Sequence, residues 1–348
     1  MKDISMIGLD TSKNVFEVCG LDEAGQVVKT TRLRRRQVVD WFAKLGPCTV
    51  VLEACGASHH WGRCLLAMGH VVKQVPAAVT MRFRTGRHKS DARDAEALAR
   101  AGRDPSIRTV PVKSAAQQAQ GMHLKVRALL VRQCTQSATS LRGHLSEFGL
   151  TAAPGSKGLE ALIAGIESGA AELPQAALEA VAVLSAHWRR LEAETGRLTA
   201  EMAQRARRDE RSVRLMTIPG IGPVIATTLL AKIEDAARFE CGRDLAAWIG
   251  LTPRQESTGG KTRLRSITKA GDEELRWLLV QGAASLPMSA KIRPASADPW
   301  IAGMLRKKKP FKVIAVALAS RLARVAWAIL RHGGVYTPRY THKIAAAA

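Results

Sequence analysis

This sequence predicts an α/β domain built on a mixed sheet, followed by two predominantly helical regions. Three observations carry the prediction. Short apolar runs alternate with helically spaced segments through the first hundred residues. From Val126 onward, apolar residues instead recur at spacings of three and four. A glycine-framed turn and a basic, glycine-rich loop then interrupt a third region whose remaining patterning is helical.

In order, residues 4–10 (ISMIGLD), 14–20 (NVFEVCG) and 26–32 (QVVKTTR) are three strands of a meander. Residues 35–45 have helical spacing, with Val38, Val39, Phe42 and Leu45 on one side. CTVVLEA (48–54) is a further strand, His59–Met68 a helix and His70–Val75 another strand. RFRTGRHK (82–89) is expected to be a basic loop whose Arg82, Arg84, Arg87 and Lys89 meet a nucleic-acid backbone. Ser90 suits the N-cap of a helix, DARDAEALARAG, that stops at Gly102. A Pro-containing connector (104–112) closes a first domain, 1–112. The order meander, helix, strand, helix, strand, acidic helix is the layout of an RNase H-like fold.

The second region, 113–211, is helical. Val126, Leu130, Cys134, Ser137, Leu141, Leu145 and Phe148 form one stripe, and residues 149–174, rich in Gly, Ala and Pro, are expected to be a loop. Leu184, Trp188, Leu191, Thr195, Leu198 and Met202 then keep a heptad seam. Two such helices make either a coiled-coil hairpin within one chain or a self-association stalk. The third region, 212–348, opens with IPGIGPVIATTLLAKI (218–233), in which Gly220 and Gly222 frame a turn between helices. Such a helix-hairpin-helix presents backbone amides to a phosphate. GLTPRQESTGGKTRLRSITKAG (250–271) follows, with Lys261, Arg263, Arg265 and Lys269 beside a glycine pair. Four cations at that density suit phosphate, and a hydroxyl among them is either a nucleophile or a hydrogen-bond donor to it. A helix over 272–285, a basic cluster Arg306–Lys309 and an apolar helix over 313–331 complete the chain.

The 348 residues hold 53 Lys and Arg against 30 Asp and Glu, a net charge of +23, and this excess is spread along the chain. A polyanionic partner, nucleic acid above all, is the expectation. Six cysteines show no metal-type spacing and point to reduced thiols in a cytosolic protein. No apolar run reaches 18 residues, so neither a membrane span nor a membrane partner is expected.

Asp10 and Glu53 lie at or near strand ends, and Asp91 and Asp94 share the first turn of a helix. If they converge, the four acids make a hard-cation site suited to Mg²⁺ and phosphoryl transfer. With these residues in place, the chain resembles transposases of the IS110/IS1111 type, related to Piv-type DNA invertases. IGLDTSKNVFEV (7–18), VLEACG (51–56) and KSDARDAEALA (89–99) resemble the family's RuvC-like DEDD domain. IPGIGPVIATTLLAKI, FECGRDLAAWIGLTPRQESTGGKTR and ITKAGDEELRWLL resemble its transposase domain. The resemblance implies that Asp10, Glu53, Asp91 and Asp94 bind Mg²⁺ and that Ser257 attacks a DNA phosphate and becomes joined to it. Thr258 supplies a second hydroxyl, a departure from the family's pattern. It further implies donor and target DNA, a structured non-coding guide RNA, and a dimer or tetramer in which the acids and the serine come from different subunits. A bacterial, nucleoid-associated, cytoplasmic protein follows from it. The rival enzyme is a RuvC-like junction nuclease whose acids activate water; a non-enzymatic binding module would tolerate loss of all four acids.

Overall fold

A computed structural model of the chain describes residues 4–84, 90–233, 235–256, 263–292 and 298–337. The chain divides into two compact units, Met1–Ala119 and Gln120–Ala348.

In the first unit, β1 (Met6–Asp10), β2 (Val15–Leu21) and β3 (Val27–Arg34) form the antiparallel meander. β4 (Thr49–Glu53) and β5 (Val71–Val75) extend it in parallel, giving a mixed sheet of order β3-β2-β1-β4-β5. Alternation along each strand decides what faces what. Ile7, Leu9, Phe16, Val18, Val50 and Leu52 point to one face. There they bury against Val38 and Phe42 of α1 (Val38–Phe42) and against Trp61 and Leu65 of α2 (Ser58–Ala67). The opposite face carries Cys19, Leu21, Val51 and Val75, covered by Ala95, Leu98, Ala99 and Ala101 of α4 (Asp91–Arg103). The expected helix over 35–45 is shorter, a single 3-10 turn (Arg35–Gln37) followed by α1. The basic stretch is not all loop: Pro76 opens a helix, α3 (Ala77–Phe83), that includes Arg82. Its Val79 and Phe83 pack against the Val51, Val75 and Leu98 cluster, and that burial outweighs the loop character of the charges around it.

In the second unit, α5 (Ala115–Glu147) and α7 (Gln175–Arg208) lie antiparallel. Leu124 meets Met202 at one end, while Leu141 and Leu145 meet Val181 and Trp188 at the other. The stretch expected as a loop over 149–174 contains α6 (Ser156–Glu167). Its Leu159, Ile163 and Ile166 follow helical spacing and fill the tip between the two long helices, so packing overrides the Gly and Ala content. Then come α8 (Glu210–Met216), α9 (Pro223–Lys232), α10 (Gly242–Ile249), a two-stranded ribbon of β6 (Pro253–Gln255) and β7 (Leu264–Ile267), α11 (Glu273–Ile292), α12 (Pro299–Arg306) and α13 (Phe311–His332). By length and composition α13 is apolar enough to cross a membrane. It instead buries Ile314, Leu318, Leu322, Val325 and Ile329 in one cluster with Leu275 and Leu279 of α11 and Leu245 and Ile249 of α10.

All six cysteines are free thiols. Burial pushes the Cys19 and Cys48 thiols up to about 11.

Candidate active site

Three of the four acids come together. The carboxylates of Asp10, Asp91 and Asp94 each place an oxygen within 4.8 Å of the others. Strand alternation turns Asp10, like Gly8, toward the α4 face of the sheet. Ser90 starts α4 as foreseen: its Oγ accepts from the Arg93 amide at 3.4 Å and its carbonyl accepts from the Asp94 amide at 3.0 Å. That cap fixes where the first turn begins, and with it where Asp91 and Asp94 project. Gly8 sets the distance between strand and helix. A Cβ there would stand 1.9 Å from the Ala95 carbonyl oxygen and 2.6 Å from the Ala99 nitrogen, so α4 lies directly on the β1 backbone.

Glu53 ends β4, one step beyond the Leu9–Leu52 pairing of the parallel β1 and β4. Alternation puts it on the α4 face too, beside Asp10, but it is not part of the 4.8 Å group. Thr11 Oγ1 and Cys55 Sγ, 3.5 Å apart, tie together the segments that leave β1 and β4.

Crowding three carboxylates has an electrostatic consequence. Two unit charges at that separation repel by roughly 3 kcal/mol at an effective dielectric constant of about 20, so the cluster favours a cation. Asp94 is 9% exposed, and its buried Oδ1 lacks an aligned hydrogen bond among the described residues. An oxygen donor set with a buried, incompletely satisfied carboxylate fits a hard divalent ion. Arg84 answers part of this charge, with Nε 2.5 Å from Asp94 Oδ1. Arg84 therefore turns inward, away from the outward backbone contact expected of it. Its attraction to a shielded carboxylate offsets part of the cost of leaving solvent. Arg82 is exposed at the end of α3; Arg87 and Lys89 lie outside the described residues.

Glu17 escaped the sequence reading. It is 5% exposed, pairs across β1–β2 with Asp10, and gives its Oε1 to Arg32 Nε at 2.5 Å. The signal was its place between Phe16 and Val18, which face the other side. Held by Arg32, it is a neighbour of the acid cluster and not a member of it.

In the second unit, Gly220 adopts φ +87° in the turn between α8 and α9. A Cβ on it would come within 2.8 Å of the Gly282 carbonyl oxygen, and one on Gly282 within 2.1 Å of the Gly220 carbonyl oxygen. Gly220 thus serves a backbone crossing with α11, while Gly222, with open space around it, caps α9. Ser257 and Lys261 lie outside the described residues, between β6 and β7. The described ends of that ribbon are well held. Gly250 (φ +80°) and Gly271 (φ +71°) let its two chain segments cross at its base. Arg276 donates to the carbonyls of Ile249 and Ala270 at 2.9 Å each. Asp272 accepts from the Leu275 amide at 2.8 Å and from Lys232 Nζ at 2.6 Å. Arg263 and Arg265 are exposed on the ribbon, Arg265 pairing with Glu256 at 2.9 Å, and Lys269 sits at φ +56° after it.

Comparison with known proteins decides what this framework belongs to. Residues 7–149 match a DEDD-type transposase model, and residues 212–298 match the model described as transposase IS116/IS110/IS902 family. The y4pF/y4sB transposase of Sinorhizobium fredii is 43% identical over 97% of this chain and 86% of its own length. The chain belongs to the IS116/IS110/IS902 transposase family. A family 20 transposase of Pseudomonas aeruginosa is 42% identical over 97% of this chain and 99% of its own. The transposase for insertion sequence element IS1111A of Coxiella burnetii is 34% identical over 97% and 92%. As a transposase the protein acts on DNA, and the acidic cluster falls within the DEDD-matching segment.

Proposed function

We propose that this transposase cuts and rejoins DNA through a covalent bond between Ser257 and a DNA phosphate, at a Mg²⁺-dependent site. The observation that carries the reading is the convergence of Asp10, Asp91 and Asp94 where β1 meets α4. The strand order β3-β2-β1-β4-β5, with β4 and β5 parallel to β1, supports an RNase H-like (RuvC-like) domain around it. Asp10, Glu53, Asp91 and Asp94 are the residues that hold Mg²⁺, which when bound draws charge from the scissile phosphate. Ser257 Oγ gives its proton to solvent and attacks phosphorus; the Oγ–P bond forms, one P–O bond to a sugar breaks, and that sugar oxygen leaves as a hydroxyl after taking a proton from solvent. The phosphodiester energy stays in the protein–DNA bond, so rejoining needs no nucleotide. Exposed Arg263, and Arg265 once parted from Glu256, are placed on the ribbon flanking Ser257 to neutralise phosphate charge. A guide RNA, a bacterial nucleoid setting and a dimer or tetramer are the further parts of this proposal. Its functional regions are 1–112, 113–211 and 212–348.

The test is a denaturing gel of full-length protein reacted with labelled element ends in Mg²⁺. A protein–DNA band that survives denaturation is expected for the unaltered chain and for Thr258→Ala, and is lost in Ser257→Ala and in Asp94→Asn. Cleavage without any such band would instead support water attack by a RuvC-like nuclease.

A further inference from the structure

The site that the acids form already contains a cation from the chain itself. Arg84 is not a stray surface side chain. It caps the C-terminus of α3, and α3 is docked by Val79 and Phe83 onto the core that α4 also covers. That docking delivers the guanidinium to Asp94 Oδ1 at 2.5 Å, with the two side chains 26% and 12% exposed. Both atoms of the pair are shielded from solvent, and neither has an aligned hydrogen bond among the described residues. The contact is therefore one of charge, on the carboxylate of Asp94.

A divalent ion needs the same carboxylate. Mg²⁺ takes carboxylate oxygens at about 2.0–2.1 Å, so a guanidinium held on the same carboxylate stands close enough to repel it. From this we infer that Arg84 is the resident counter-cation of the site, and that a divalent ion binds by displacing it from Asp94. Arg84 is a positioning residue here: it keeps the acids together when no metal is present and sets the concentration of metal needed to load them. The inference rests on reading Asp10, Asp91 and Asp94 as metal ligands.

Mn²⁺ binding to the full-length chain, followed by electron paramagnetic resonance without DNA, tests both layers. Asp94→Asn should lose Mn²⁺; if it binds as the unaltered chain does, the metal reading fails. Provided it loses Mn²⁺, Arg84→Gln should bind about fivefold more tightly than the unaltered chain, the effect of removing a competing ion pair. Affinity unchanged or weakened in Arg84→Gln overturns the displacement. Melting in EDTA adds a readout: Arg84→Gln should melt lower than the unaltered chain and gain more from Mn²⁺. Should Arg84→Gln not fold without metal, the Arg84 Nε–H resonance of the unaltered chain, assigned by its loss in Arg84→Lys, should shift as Mg²⁺ is added; a resonance that does not move refutes the displacement.

Discussion

At Gly8 the absence of one methyl group determines whether two carboxylates can meet a third. The α4 backbone rests where its Cβ would be, 1.9 Å from the Ala95 carbonyl oxygen. Gly8→Ala must push α4 away from β1, and α4 carries Asp91 and Asp94. Overpacking of this kind costs about 1–3 kcal/mol. We expect a lower melting temperature together with weaker Mn²⁺ binding. A stable Gly8→Ala protein with unchanged Mn²⁺ affinity would show that the helix position does not govern the site. Neighbouring Asp10 was legible as a strand-end acid, because its chemistry and place both show in the sequence. Gly8 was not, since a glycine within a strand does not announce which backbone it admits. Arg84 and Glu17 were misjudged or missed for a related reason: pairing across elements settles whether a charge faces solvent.

At the level of elements, the acidic turn depends on its cap. Ser90→Ala removes the acceptor for the Arg93 amide, at a cost of about 1 kcal/mol. Urea unfolding should register that loss. DNA cleavage in limiting Mg²⁺ should fall with it, because Asp91 is the first residue after the cap; cleavage equal to that of the unaltered chain would argue against an ordered first turn. Elements with strong periodicity, such as α4, α7 and the three strands of the meander, were evident from spacing alone. Two were not. α3 hides behind Arg82 and Arg84, and its helical status follows from Phe83 finding a buried place. α6 hides among glycines and alanines, although Leu159, Ile163 and Ile166 carry the period that packs it. The ribbon β6–β7 is too short to stand out, and its base is held by Arg276 and Asp272, which lie beyond it in sequence.

For the whole molecule, the acids belong to the unit Met1–Ala119 and Ser257, the proposed nucleophile, to Gln120–Ala348. The proposal that each reaction draws them from different subunits makes a direct prediction. Asp94→Asn chains and Ser257→Ala chains, each inactive alone, should form covalent DNA adducts when co-assembled. No recovery on mixing would place both functions within one subunit. The charge of +23 bears on how such an assembly meets DNA, since each phosphate neutralised adds to a steep salt dependence.

The burial of α13 bears on when the protein becomes competent during synthesis. The core clusters of the first unit draw on residues up to Ile107, so that unit can fold while the rest is still being made. The second unit has no such freedom. Its core is closed by Ile314, Leu318, Leu322, Val325 and Ile329 of α13, which follows α8 to α12 in the chain. Until that helix docks, the surfaces of α10 and α11 that it covers stay open, and the ribbon anchored between those two helices lacks its support. On the proposed reading, the acids that hold metal thus fold before the segment that carries Ser257, and DNA breakage waits for α13 to dock.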